Sequence, residues 1–175
     1  MNFYDERVIG LGAGAEFSPD KRYRYLLWRV WDHGLPLLGW VMLNPSTAGE
    51  TKDDATIRRC TGFARQWGYG GYLVGNVYAY CAKNPRDLPF DDACGPLNHE
   101  YLRRLTNHVK TVVCAWGTYP SEGDAFETKS VLWYPAWAGF DGLENRQLYC
   151  LGRTKAGHPR HPLFVPYRQP LEPYA

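Results

Sequence analysis

The sequence predicts an α/β protein, a three-layer α/β/α sandwich around a mainly parallel central sheet. Three observations carry that expectation. Short runs rich in β-branched and aromatic residues alternate with segments of helical periodicity. Several of those runs are almost wholly apolar, as strands covered on both faces are. Polar turn residues stand immediately after them, where open α/β sheets carry their ligand groups. With 175 residues, 45% of them hydrophobic, the chain is long enough for one domain, residues 1–175, with a substantial core.

The elements follow in order. Gly10, Gly12, Gly14 and Pro19 mark residues 1–21 as an irregular lead-in. Residues 22–31 read as a strand, Asp32-His33-Gly34 as a turn, and residues 37–43 as a second strand, predicted to pair with the first as an antiparallel hairpin. A small, polar loop over 44–52 leads to two N-cap candidates, Asp53 and Asp54. A helix over 55–67 then places Ile57, Cys60, Phe63, Ala64 and Trp67 on one face and ends in the glycines at 68–71. Residues 72–80 are a third strand, broken by Asn84-Pro85, and 89–96 form a loop. A second helix is expected over 97–109, a buried strand over 111–116 closed by Gly117, a helix within 121–137 limited by Pro135, and a last strand over 147–151 before a proline-rich end.

Composition narrows the function. A net charge of +2 argues against a strongly basic nucleic-acid clamp but leaves a nucleotide ligand open. Basic clusters such as Lys21-Arg22-Tyr23-Arg24 and Arg58-Arg59 read first as solvated faces. Five cysteines, odd in number and without a C-x-x-C pair, disfavour a zinc knot or a disulfide framework and suit a reducing cytoplasm. The sequence shows neither a signal peptide nor a membrane-length apolar stretch, so a soluble, cytoplasmic monomer is expected. Seven tryptophans and thirteen tyrosines fill a core with large rings or, in the sharper reading, offer stacking platforms for bases.

Two proline-locked turns hold the chemistry. Leu43-Asn44-Pro45-Ser46 puts an amide just past an apolar strand, where Asn44 can orient a water without carrying charge; Asn-Pro is also an ordinary turn initiator. Ser46-Thr47 extends the loop, and the absence of a G-x-S-x-G elbow argues against a serine nucleophile. Of Asp53 and Asp54, one caps the helix; the other can position water, bind a metal or pair with Arg58. Asn76 is a polar amide in a buried strand, and its partners are either backbone groups or the hydrogen-bonding edge of a pyrimidine. In His158-Pro159-Arg160-His161-Pro162, an imidazole can stabilise a developing anion. Zinc is the rival reading of these histidines, but no three-ligand set converges in sequence. Neither metal nor cofactor is expected.

Several of these segments strongly resemble a known family. Val41-Met42-Leu43-Asn44-Pro45-Ser46-Thr47-Ala48, Asp53-Asp54-Ala55-Thr56-Ile57-Arg58-Arg59-Cys60, Gly68-Tyr69-Gly70-Gly71, Asn76-Val77-Tyr78-Ala79-Tyr80, Ala115-Trp116-Gly117 and His161-Pro162-Leu163-Phe164 resemble domain-of-unknown-function family 1643. That name supplies no activity. More distantly, the order of strand then Asn-Pro-small, strand with Asn, strand ending in Gly, and loop with His-Pro is similar to the uracil-DNA glycosylase superfamily. The resemblance implies a uracil-DNA glycosylase-like fold and a metal-independent N-glycosidase that hydrolyses the bond to uracil or a modified pyrimidine flipped out of DNA. By the same likeness Asn44 would position the attacking water, and His161, with His158 as the other register, would stabilise the departing base. Asn76 would recognise that base, with Ser46 beside it and Tyr78, Tyr80 or Trp116 as the stacking ring. The chain differs from the pattern at Ser46, where glycine is usual, and at Leu163, where serine is usual. The alternatives are a non-catalytic binder of a modified base or nucleotide, or a hydrolase of a small nucleoside-like metabolite.

Overall fold

The computed structural model describes residues 9–89, 91–118 and 147–174. Seven strands form one mixed sheet in the order β1-β2-β4-β3-β5-β6-β7: β1 (Gly12–Phe17), β2 (Arg24–Val30), β3 (Leu37–Met42), β4 (Gly71–Asn76), β5 (Thr111–Cys114), β6 (Gln147–Cys150) and β7 (Glu172–Pro173). The four inner strands β4, β3, β5 and β6 are mutually parallel, and the outer strands join them antiparallel. Residues 12–17, expected to be irregular, form the edge strand β1 instead. Their glycines suit that edge: a Cβ at Gly14 would stand 2.1 Å from the Trp28 ring of β2.

The expected hairpin between β2 and β3 does not form; β4 lies between them. The 31–36 connection crosses the start of β4 rather than turning back. Trp31 and Asp32 donate their N–H groups to the Gly70 carbonyl, and the Gly70 N–H bonds to the Pro36 carbonyl. Gly70 permits the crossing, because a Cβ there would lie 1.9 Å from the Asp32 carbonyl oxygen. A two-strand reading saw a turn in Asp32-His33-Gly34 but had no means of seeing that glycines forty residues away make room for a third strand.

Among the described residues two α-helices cover the sheet: α1 (Ala55–Gln66) links β3 to β4, and α2 (Asn98–His108) links β4 to β5. Asp54 caps α1 by accepting the Ile57 N–H at 2.9 Å. The buried stripe Ile57, Cys60, Phe63 and Ala64 packs with Leu38, Trp40, Tyr72 and Val74. Tyr101, Leu102 and Leu105 of α2 pack with Leu26, Val41, Leu73 and Val112. Side chains alternate faces along a strand, so Trp40 and Val41 belong to opposite sides of the sheet. From β3 the chain steps to β4 on one side and then across β3 to β5 on the other. A consistent crossover hand puts the two helices on opposite faces after such a reversal. The residues of the helix expected within 121–137 lie outside the described set.

Most of the rings build this core. Trp40, Phe63 and Trp67 stack on the α1 side, and Tyr25 and Tyr101 stack at 5.0 Å on the α2 side. No helix among the described residues is long and apolar enough to cross a membrane. The five cysteines are free, with Cys60, Cys114 and Cys150 buried.

Candidate functional site at the strand ends

Where the winding reverses, a cavity of about 630 Å³ opens at the carboxyl ends of the parallel strands. Asn44 after β3, Asn76 at the end of β4, Trp116 after β5, Asp54 at the α1 N-terminus and His161 from the C-terminal loop all line it. Strand register brings the first two together, since Asn76 pairs with Met42, two residues before Asn44. The strand tails stay tied beyond the sheet: Val77 and Tyr78 donate to the Met42 and Leu43 carbonyls, and Ala115 donates to Val41.

Each amide is held by its neighbours. Asn44 is half-buried, and its Nδ2 donates to the Ala82 carbonyl at 2.8 Å and the Pro45 carbonyl at 3.0 Å. Both bonds use the NH₂ group, so the side chain is fixed while Oδ1 keeps its acceptor capacity. Asn76 is 1% exposed; its Oδ1 accepts from Arg24 Nη2 at 3.2 Å, and its Nδ2 has no protein partner. Asn98, the first residue of α2, anchors this strand end by donating to the Asn76 and Val77 carbonyls at 3.0 and 2.9 Å.

His161 sits at the start of a 3-10 turn, Pro162–Phe164. Its Nδ1 accepts the Leu163 N–H at 3.3 Å, which leaves the neutral ring's proton on Nε2. Burial pushes its pKa down from 6.5 to about 4, against the opposing pull of the Asp54 carboxylate. The ring is therefore a neutral N–H donor at physiological pH. Gly117, at φ +75°, donates to the Pro159 carbonyl and sets this loop against the end of β5. Arg59 of α1 clamps the other side, donating to the Pro162 carbonyl at 3.1 Å and to the Val165 carbonyl.

The structure gathers Asn44, Ser46, Asp54, Asn76, Trp116 and His161 around one cavity, and it places Asp53, Arg58, Tyr78, Tyr80 and His158 elsewhere. Asp53 faces Arg29, with Nη2 to Oδ1 at 2.7 Å, and so ties the 44–54 loop to β2. Arg58 is exposed and donates to the Asp53 backbone carbonyl, not to an aspartate side chain. Tyr78 is buried in the α2-side core, and His158 is buried beside the Arg153–Pro159 bridge; neither lines the cavity.

Three further contributors stand out: Arg24 and Phe164, which sequence reasoning missed, and Trp116, which it named only as one of three candidate stacking rings. Arg24, read as part of a solvated cluster, is 3% exposed and lines the cavity. Its Nη1 donates to the Ala48 carbonyl at 2.9 Å, its Nε has no protein partner, and burial lowers its pKa to about 10. Trp116, 3% exposed, carries an indole Nε1 that is likewise without a protein partner. A buried donor left unbonded costs roughly 1–3 kcal/mol, and three such donors stand on the walls of this one cavity. Phe164 is the third contributor: it is 80% exposed at the cavity mouth, next to Leu163 at 40%. The apolar run of β2 held a signal for Arg24, because a strand covered on both faces leaves a charge no solvated side to occupy.

Fold and cavity define an α/β protein with a cavity at the carboxyl ends of its parallel strands, apolar over most of its wall and carrying a few convergent polar side chains. The chain belongs to the family described as "protein of unknown function (DUF1643)", which it matches over residues 24–163. That span runs from Arg24 to Leu163 and so includes each of the cavity residues discussed above except Phe164. No curated protein and no solved structure matches the chain.

Proposed function

We propose that this protein is a metal-independent N-glycosidase of the uracil-DNA glycosylase type, with the corresponding three-layer α/β/α architecture, acting on uracil or a modified pyrimidine in DNA. The observation that carries the reading is that Asn44, Asn76 and His161, from three distant segments, line one cavity at the strand ends.

The chemistry assigns each a part. Hydrolysis breaks the bond between the sugar carbon and the base nitrogen through an oxocarbenium-like state, as in other glycoside cleavage. The bonding pair leaves with the base, water oxygen bonds to the sugar carbon, and the water's proton finally neutralises the base. Asn44 Oδ1 aligns the water. His161 Nε2–H donates to the carbonyl oxygen on which negative charge grows, and a neutral donor suits this step because it binds the anion without an earlier proton transfer. Asn76 Nδ2 donates to a carbonyl on the base edge. Asp54 contributes the negative charge that faces the cationic sugar. Leu163 and Phe164 offer apolar surface at the mouth, where a base leaving the duplex needs cover.

Release of free base from uracil- and 5-substituted-uracil-containing oligonucleotides, single- and double-stranded, tests the proposal. Asn44→Ala and His161→Ala are each expected to slow release by about a hundredfold, the scale of losing one positioned transition-state contact. Absence of release from every such strand, with binding retained, selects the alternative of a non-catalytic reader of modified bases.

A further inference from the structure

The glycosidase reading leaves Arg24 without a role. Its guanidinium is buried on the cavity wall, and among the described residues it forms no ion pair. Two of its nitrogens are spent on neutral oxygens, Ala48 O and Asn76 Oδ1. The third, Nε, and the adjoining Asn76 Nδ2 have no protein partner and are shut off from bulk water. The contrast with the other buried arginine of β2 is informative, since Arg29 is matched by Asp53 and by backbone carbonyls. A fold that needed only a clamp for the 44–54 loop would complete Arg24 in the same way. A buried cation with unmet donors calls for an anion, and the cavity beside Arg24 gives a ligand room to supply one. Among the described residues the charge around the cavity is mainly positive: Arg24, Lys83 and Arg160 stand against one carboxylate, Asp54.

We infer that Arg24 and Asn76 form a buried oxyanion subsite, so that the preferred ligand carries a carboxylate or phosphate group rather than an unsubstituted uracil. Two donors on adjoining side chains match two oxygens of one such group. The inference rests on the cavity being a base or nucleotide site, and it names the chemical feature that such a ligand presents to the floor. Lys83 and Arg160 are exposed, so they stand at the rim and serve a different part of the ligand.

Binding of the full-length chain to two matched pairs tests this: uracil against 5-carboxyuracil, and deoxyuridine against its 5′-monophosphate. In at least one pair the oxyanion is expected to bind at least tenfold more tightly; which pair shows the gain identifies its source as base or sugar. Arg24→Met should abolish the preference. Should that variant not fold, Asn76→Asp serves instead, because it puts a carboxylate against Arg24 in the same shape; it should raise the melting temperature and remove the preference. The preference should survive in the Lys83→Gln/Arg160→Gln double variant. Equal affinity within both pairs, a preference that persists in Asn76→Asp, or one that disappears with the rim cations overturns the inference. Base release from strands containing unsubstituted uracil, without any oxyanion preference, sinks this inference alone. An intact preference without base release sinks the glycosidase reading alone.

Discussion

His161 shows how a single side chain acquires a defined state from its surroundings. The Leu163 N–H occupies Nδ1, burial disfavours the imidazolium, and Asp54 only partly offsets that penalty. The folded-state pKa of about 4 lies below the ordinary 6.5, so between those values the unfolded chain binds a proton that the folded chain refuses. Stability therefore falls as pH drops through that window and levels off below it. The melting temperature of the wild type should accordingly drop more between pH 6.5 and 4 than that of His161→Gln, measured in matched buffers. Base release by the wild type should stay level from pH 8 to about pH 5, with no limb near 6.5 of the kind an ordinary imidazole gives. A limb at 6.5 would mean that the ring works as a charged group. The sequence led to His161 because proline on each side marks a fixed turn. It put His161 first and kept His158 as the other register because the frame is the same; the structure lines the cavity with His161 and buries His158 beside the Arg153–Pro159 bridge.

At the scale of elements, the site is held by helices and loops more than by the strands that end there. Helix α1 carries Asp54 at its start and Arg59 one turn later, and Arg59 reaches the backbone carbonyls on both sides of the 3-10 turn after His161. Its guanidinium lies 3.6 Å from the Tyr167 ring centroid and 5.0 Å from that of Phe63. Arg59→Ala removes two charge-assisted bonds and this stacking together, which should cost about 2 kcal/mol. We expect faster hydrogen exchange over residues 160–168 and base release reduced about tenfold with little change in KM. Arg65→Ala, on the same helix but packed over Trp31, should leave base release at the wild-type level. Both helices were legible because their apolar residues recur at helical spacing, and the inner strands because they are short and apolar. The order of strands was not legible. It depends on Gly70 and Gly71 allowing a connection to cross at contact distance, a tertiary fact with no local periodicity. Arg24 was misread for a related reason: a charge in a basic cluster signals solvent until the loop that buries it is known.

For the whole molecule, charge sets how the cavity meets a polymer. The net charge of +2 is modest, and among the described residues the exposed cations at the cavity mouth are Lys83 and Arg160. Affinity for DNA changes with salt in proportion to the phosphates neutralised, with a logarithmic slope of roughly −0.9 per contact. Two contacts give a slope of about −2, so raising salt from 50 to 200 mM should weaken duplex binding only about tenfold. A protein gripping six to ten phosphates loses roughly 10³–10⁵ over the same range. Fluorescence anisotropy on a uracil-containing duplex across that series measures the slope directly. A value steeper than about −4 would show that basic surfaces beyond the mouth, such as the one bearing Arg58, also engage the backbone. Under the proposed reading, a shallow slope puts discrimination on the cavity itself, with the buried donors of Arg24, Asn76 and Trp116 as the groups a ligand would satisfy. The same shallow slope disfavours long scanning along intact duplex and favours strands in which the target base is already unpaired. Affinity should then be higher for a uracil in a single strand or bulge than for one in a matched pair, by the few kcal/mol that extrusion costs.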